Sequence, residues 1–146
     1  MLNRTMKKER KILVPLDGST NSIRSLKYAI TLAKQNKMGI IGLHIRPVYA
    51  LSASSRNLDL KEELIREGKN IMKNARMIVE KNNIPFFEKT LNGIPPEDVA
   101  NFIQKKDNEL NLVIMGSSSK GISKERYLGS VSNHVLNKSK IPVLVI

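Results

Sequence analysis

Residues 11–19 read Lys11-Ile12-Leu13-Val14-Pro15-Leu16-Asp17-Gly18-Ser19, a short apolar run closed by an Asp-Gly turn. Beyond it, Ile23, Leu26, Ile30 and Ala33 recur at helical spacing, so the segment reads as strand, turn, helix. Ser19 or Thr20 can cap that helix, because a side-chain oxygen there accepts one of the unpaired N–H groups of the first turn.

The same alternation continues down the chain. Gly39 to Ile45 (GIIGLHI) is a second buried strand, and Pro47 to Asn57 reads as a polar loop. Leu64, Ile71, Ala75, Ile78 and Val79 then share one face of a long helix that ends near Asn82. Ile84 to Leu91 is a weaker strand whose Pro85 suits a sheet edge, where a missing N–H breaks no ladder. Gly93-Ile94-Pro95-Pro96-Glu97-Asp98 opens a third helix, with proline in the first turn and acids at the positive end of the dipole; Val99, Phe102 and Ile103 face its core. Leu110 to Met115 is the fourth strand. A long polar loop, Gly116 to Gly129, leads to a short helix from Ser130 to Asn137, and Ile141 to Ile146 is the fifth strand.

Five strands separated by helices imply an α/β three-layer sandwich, a five-stranded parallel sheet with helices on both faces, because right-handed crossovers place them there. With strands two and three on one side of strand one, and four and five on the other, the order is 3-2-1-4-5. The switch point then lies between strands one and four, where Asp17 and Gly116 flank a crevice suited to a ligand. Residues 1–10 form a basic tail ahead of a single domain, 11–146, which is large enough to bury roughly 70% of its unfolded surface without a disulfide or metal.

Composition narrows the function. No cysteine is present, which excludes thiol nucleophiles, thiolate zinc sites and disulfides, and no apolar run approaches the ~20 residues that span a bilayer. A cytosolic location is expected. The net charge of +12 raises nucleic acid as a partner, but 17 Lys stand against 8 Arg and only 6 residues are aromatic, leaving few stacking platforms. Residues 1–11 carry a third of the excess through Arg4, Lys7, Lys8, Arg10 and Lys11 against Glu9, and the rest is scattered over helix faces, so nucleic acid is disfavoured.

At the crevice, Gly116-Ser117-Ser118-Ser119-Lys120-Gly121 and Gly129-Ser130-Val131-Ser132 supply what an anion needs. Glycines admit the backbone, hydroxyls donate, and Ser130 opens a helix whose terminal amides favour phosphate. Lys120, Lys124 and Arg126 outweigh Glu125 in the same loop. A P-loop is excluded because Ile122-Ser123 follow Gly121 where Lys-Ser/Thr is required, and a nucleophile elbow because Lys120 occupies its last glycine. No dinucleotide fingerprint follows the first strand.

These residues resemble the universal stress protein family. The likeness runs from Lys11 to Ile146 and rests on Ile12 to Ser19, Leu43-His44, Gly93 with Pro95-Pro96-Glu97, Val113 to Gly116, Leu128 to Ser132, and Pro142 to Val145. Nucleotide-binding members share a G-x-x-G, nine residues, G-S/T pattern, which Gly116 and Gly129-Ser130 fit in register while Ser119 replaces the second glycine. Members without the glycines do not bind ATP, so Ser119 leaves a nucleotide-free stress scaffold as the alternative. For a binder, the resemblance implies ATP or a related adenine nucleotide, with Mg or Mn on the phosphates. It places Asp17 near the adenosine, the backbone of Ile40 against the adenine edge, and Pro15 and Leu16 in the wall. Met115 and Gly116 border the ribose and phosphates, and Ser119, Gly129, Ser130, Val131 and Ser132 bind phosphate.

Enzymatic chemistry has little support. His44 and His134 fall on a strand end and the last helix, share no geometry with a nucleophile, and read as structural; any ATP hydrolysis is expected to be slow. The last strand, Ile141 to Ile146, would lie at a sheet edge with unpaired backbone groups. Antiparallel self-pairing there gives a homodimer, which the resemblance also implies.

Overall fold

A computed structural model describes residues 9–53, 56–117 and 128–146. Five parallel strands, β1 (Lys11–Pro15), β2 (Gly39–Pro47), β3 (Phe86–Gly93), β4 (Leu110–Met115) and β5 (Val143–Val145), form one sheet in the order β3-β2-β1-β4-β5. This is the expected topology. Helices α1 (Thr20–Asn36) and α3 (Leu58–Glu80) cover one face, and α4 (Pro95–Gln104) and α5 (Ser130–Lys138) the other.

Strand alternation assigns the core. Ile12 and Val14 of β1 point to Leu26, Ala29 and Ala33 of α1 and to Met72, Ala75 and Val79 of α3. Leu13 points oppositely, into a second layer with Leu43, Val99, Phe102, Val113 and Val135. Ile12, Leu13, Leu26 and Val113 are fully buried, each worth about 1.5–3 kcal/mol relative to exposure. At Gly42 an added Cβ would lie 2.6 Å from Cζ of Phe86, so the missing side chain on β2 is the space the β3 ring occupies.

Several boundaries differ from the sequence reading. The polar loop expected over Pro47–Asn57 contains a short helix, α2 (Val48–Ala53). Pro47 ends the strand, and Ala50, Leu51 and Ala53 favour the helix that follows. β3 begins after Pro85 rather than at Ile84, and the Pro85 carbonyl accepts the Ile40 N–H at 2.9 Å instead of joining the strand. β2 runs on to Pro47, α3 stops at Glu80, α5 reaches Lys138, and a single 3-10 turn (Lys106–Asn108) precedes β4. β5 is shorter than the expected Ile141–Ile146, although its bonding to β4 extends beyond it: Val113 N–H donates to Pro142 O at 3.0 Å and Ile146 N–H to Met115 O at 2.9 Å.

Helix caps follow local chemistry. Ser19 caps α1, its hydroxyl accepting the Ser22 N–H at 3.1 Å, which settles the choice between Ser19 and Thr20. The other end of α1 closes at Lys37, a left-handed residue (φ 53°) whose N–H, with that of Met38, converges on the Ala33 carbonyl. Glycine is the residue this position favours, and the Lys37 side chain is exposed. Lys37→Gly is expected to stabilise the fold by about 0.5–1 kcal/mol, read as a higher urea midpoint with unchanged slope.

Candidate functional site

The carboxyl ends of β1 and β4 part at the switch point, and a cavity of about 640 Å³ opens there. Pro15, Leu16, Asp17, Met115, Gly116, Gly129, Ser130, Val131 and Ser132 all line it, so most of the residues singled out in the sequence converge on one place. Ser119, with Lys120, Lys124 and Arg126, lies outside the described residues. Ile40 is not brought to the cavity. It sits near the start of β2, fully buried between Ile12 and Phe86, with its N–H already given to Pro85.

Among the helices that start at this edge of the sheet, those after β1, β3 and β4 have first turns that differ in how they can receive an anion. α1 is closed by Ser19, and Asp17 Oδ1 accepts the Ser19 N–H at 2.9 Å, which places a carboxylate at that terminus. α4 begins with Pro95 and Pro96, which have no N–H, and Asp98 Oδ2 accepts the Ile94 N–H at 2.6 Å. α5 has neither a side-chain cap nor a proline in its first turn: Gly129 precedes it, and the first intrahelical bond is that of Asn133 N–H to Gly129 O at 2.9 Å. Among the described residues nothing caps the amides of Ser130, Val131 and Ser132, which form the positive end of the helix.

That terminus is held by short backbone and hydroxyl bonds. Gly129 N–H donates to Ser117 O at 2.6 Å, Ser117 N–H to Ile146 O at 2.9 Å, and the buried Ser132 hydroxyl to Gly116 O at 2.6 Å. Ser132 thus spends its hydroxyl on the scaffold and offers only its amide to the cavity. Gly116 is equally constrained, since a Cβ there would lie 2.8 Å from Cβ of Asn21, the α1 residue against which the end of β4 packs.

The opposite side of the cavity was not foreseen. The ends of β2 and α2 supply His44, Arg46 and the exposed Tyr49, and α3 supplies Leu64, Glu67, Gly68 and Ile71. His44 is 8% exposed, and its Nδ1 lies 2.7 Å from Leu16 O; a carbonyl only accepts, so Nδ1 carries the proton. This is the structural histidine that the sequence reading expected. Arg46, two residues along the same face, has a buried Nε with no hydrogen-bond partner among the described residues, and leaving such a donor unpaired costs about 1–3 kcal/mol. The signal for this wall was present in the sequence as two basic side chains, His44 and Arg46, alternating at the end of an otherwise apolar strand.

Among the described residues no cluster of three or more His, Asp or Glu side chains is arranged to hold a metal, and no helix is long and apolar enough to cross a membrane. The lining offers hydrogen-bond donors, an anion-favouring helix end and apolar walls from Leu16, Ile71 and Val99, a combination suited to holding a ligand with a polar tail and a flat apolar part.

Comparison with known proteins agrees. The model of the universal stress protein family matches residues 9–146. Universal stress protein YxiE of Bacillus subtilis is 30% identical over 148 residues, spanning 93% of this chain and 97% of that protein. The structure of MJ0577 from Methanocaldococcus jannaschii superposes with a TM-score of 0.79 at 32% identity, covering 94% of each chain. A universal stress protein from Archaeoglobus fulgidus, solved in complex with dAMP, shares the fold with a TM-score of 0.69 at 22% identity over 94% of this chain and 97% of that one. With its strand order, its switch-point cavity and a family match over nearly its whole length, this chain belongs to the universal stress protein family.

Proposed function

We propose that the cavity binds ATP or a related adenine nucleotide, and that the protein is a cytosolic binding module that reports stress or energy state through that occupancy. The single observation that carries this reading is the uncapped first turn of α5, which, unlike those of α1 and α4, is closed neither by a side chain nor by proline. Phosphates belong there, on the amides of Ser130 to Ser132, with Gly116 and Gly129 admitting them close to the backbone. Asp17 has Oδ2 to offer a ribose hydroxyl while Oδ1 stays on Ser19. The dAMP complex of the Archaeoglobus relative supports an adenine ligand in this fold. Any Mg or Mn would ride on the phosphates, because the described lining offers no protein-built cage.

The purified protein, denatured and analysed by mass spectrometry, is expected to release an adenine nucleotide, or the emptied protein to give a saturable heat with ATP in the presence of Mg. Neither signal would leave the nucleotide-free scaffold as the better reading. Ser119 is the residue that favours that second reading, and Ser119→Gly is expected to strengthen ATP binding; no gain would show that the missing glycine is not what limits the site.

We also propose a homodimer through the free edge of β5. Pro142 O, Ile146 N–H and Ile146 O are all engaged toward β4, Met115 and Ser117, so by strand alternation Val143 and Val145 present their backbone groups outward, with Leu144 and Leu136 half-exposed nearby. Val145→Pro removes one outward N–H and no bond within the sheet. It is expected to convert a dimer into a folded monomer by light scattering; a dimer that persists would place the interface elsewhere.

A further inference from the structure

The phosphate-favouring α5 terminus lies beyond β4, whereas Arg46 lies on β2, with β1 between them. Two interstrand spacings separate those strand ends, roughly 10 Å, which one phosphoryl group cannot bridge. The site therefore has two distinct positions at which a negative charge would be welcome. They are also approached from opposite faces of the sheet, since α5 packs on the Leu13 side and Arg46 stands against α3.

The surroundings of Arg46 are arranged to keep it available. Gly68 falls in the interior of α3, where glycine is a poor helix former. A Cβ there would lie 3.1 Å from Nε2 of His44 and 3.3 Å from Nε of Arg46, so the bare backbone is what admits both side chains. Arg46 is the only lysine or arginine among the described residues of the cavity wall. The two acids of that wall do not neutralise it: Asp17 is turned to Ser19, Glu67 is exposed on α3, and among the described residues no ion pair joins either to Arg46. Its Nε is shielded from solvent and has no acceptor among the described residues. The Nε and adjacent Nη donors form a planar fork that matches two oxygens of a phosphate. The edge of adenine, with a donor amine beside its acceptor nitrogen, does not match that fork.

We propose that Arg46 is a second phosphate-receiving residue, so that this cavity prefers an adenine nucleotide with phosphoryl groups at two separate positions over one carrying them in a single chain. The inference rests on the nucleotide reading above and sharpens its ligand class.

The test compares ADP with adenosine 3′,5′-bisphosphate by calorimetry at one ionic strength, since both carry two phosphoryl groups and differ in where they stand. Wild-type protein is expected to bind the bisphosphate at least about tenfold more tightly, the scale of one charge-assisted fork. Arg46→Gln is expected to bring the ratio of the two affinities close to one, and Arg46→Lys to leave it intermediate, because a point charge replaces the fork. Equal affinities in the wild type overturn the inference while leaving nucleotide binding intact, and so does a preference that survives Arg46→Gln. Binding of neither ligand overturns the inference and the nucleotide reading together. Should Arg46→Gln fail to fold by circular dichroism, the wild-type ratio and the Arg46→Lys ratio decide between the same outcomes.

Discussion

Everything at the site follows from the parallel pairing of β1 with β2 on one side and β4 on the other. Leu13 is paired with Ile41 and Val113 at once, and its immediate neighbours Ile12 and Val14 are fully buried, so the central strand cannot shift register without moving both halves of the sheet. Because the crossovers that follow β1 and β4 run in opposite directions, their helices α1 and α5 cannot fill the space above the switch point. The cavity is the geometric remainder of that arrangement, and its chemistry is decided by which helix ends border it.

Those ends are not equivalent, and the difference is written in single residues. Ser19 with Asp17, and Asp98 with two prolines, answer the terminal N–H groups of α1 and α4 from within the chain. Gly129 has no side chain with which to do the same for α5. Net charge is a poor guide to this. The chain carries +12, yet among the described residues the cavity wall has a single arginine or lysine, and the other group suited to an anion there is a set of uncharged amides.

The fold was legible because its signals are repetitive. Apolar runs such as Leu110 to Met115 and helical spacing such as Leu26, Ile30 and Ala33 report burial directly, and burial is what the sheet order organises. The α5 side of the cavity was legible for a related reason: glycines and hydroxyls are concentrated in two short segments. The β2 side was not. Its α2 helix is only six residues long, too short for periodicity to show, and it hides in a stretch of polar loop composition. Ile40 was misplaced because the residues that border the cavity from β2 lie at the carboxyl end of the strand, from Leu43 onward, and a backbone role leaves no trace in side-chain chemistry. Ser132 shows the converse. Its residue type suits a ligand, but only coordinates reveal that its hydroxyl is committed to Gly116.

The bond from Gly129 to Ser117 joins the two ends of the segment that connects β4 to α5. A connection pinned in this way is thermodynamically a closed loop hung on a finished scaffold, and the entropy of closing such a loop grows only logarithmically with its length. Residues can then be added to it or removed at small cost to the stability of the sheet, while the helix terminus that it precedes stays in place. The architecture thereby separates two evolutionary variables, letting the length of the connection change while the amides of Ser130 to Ser132 remain fixed.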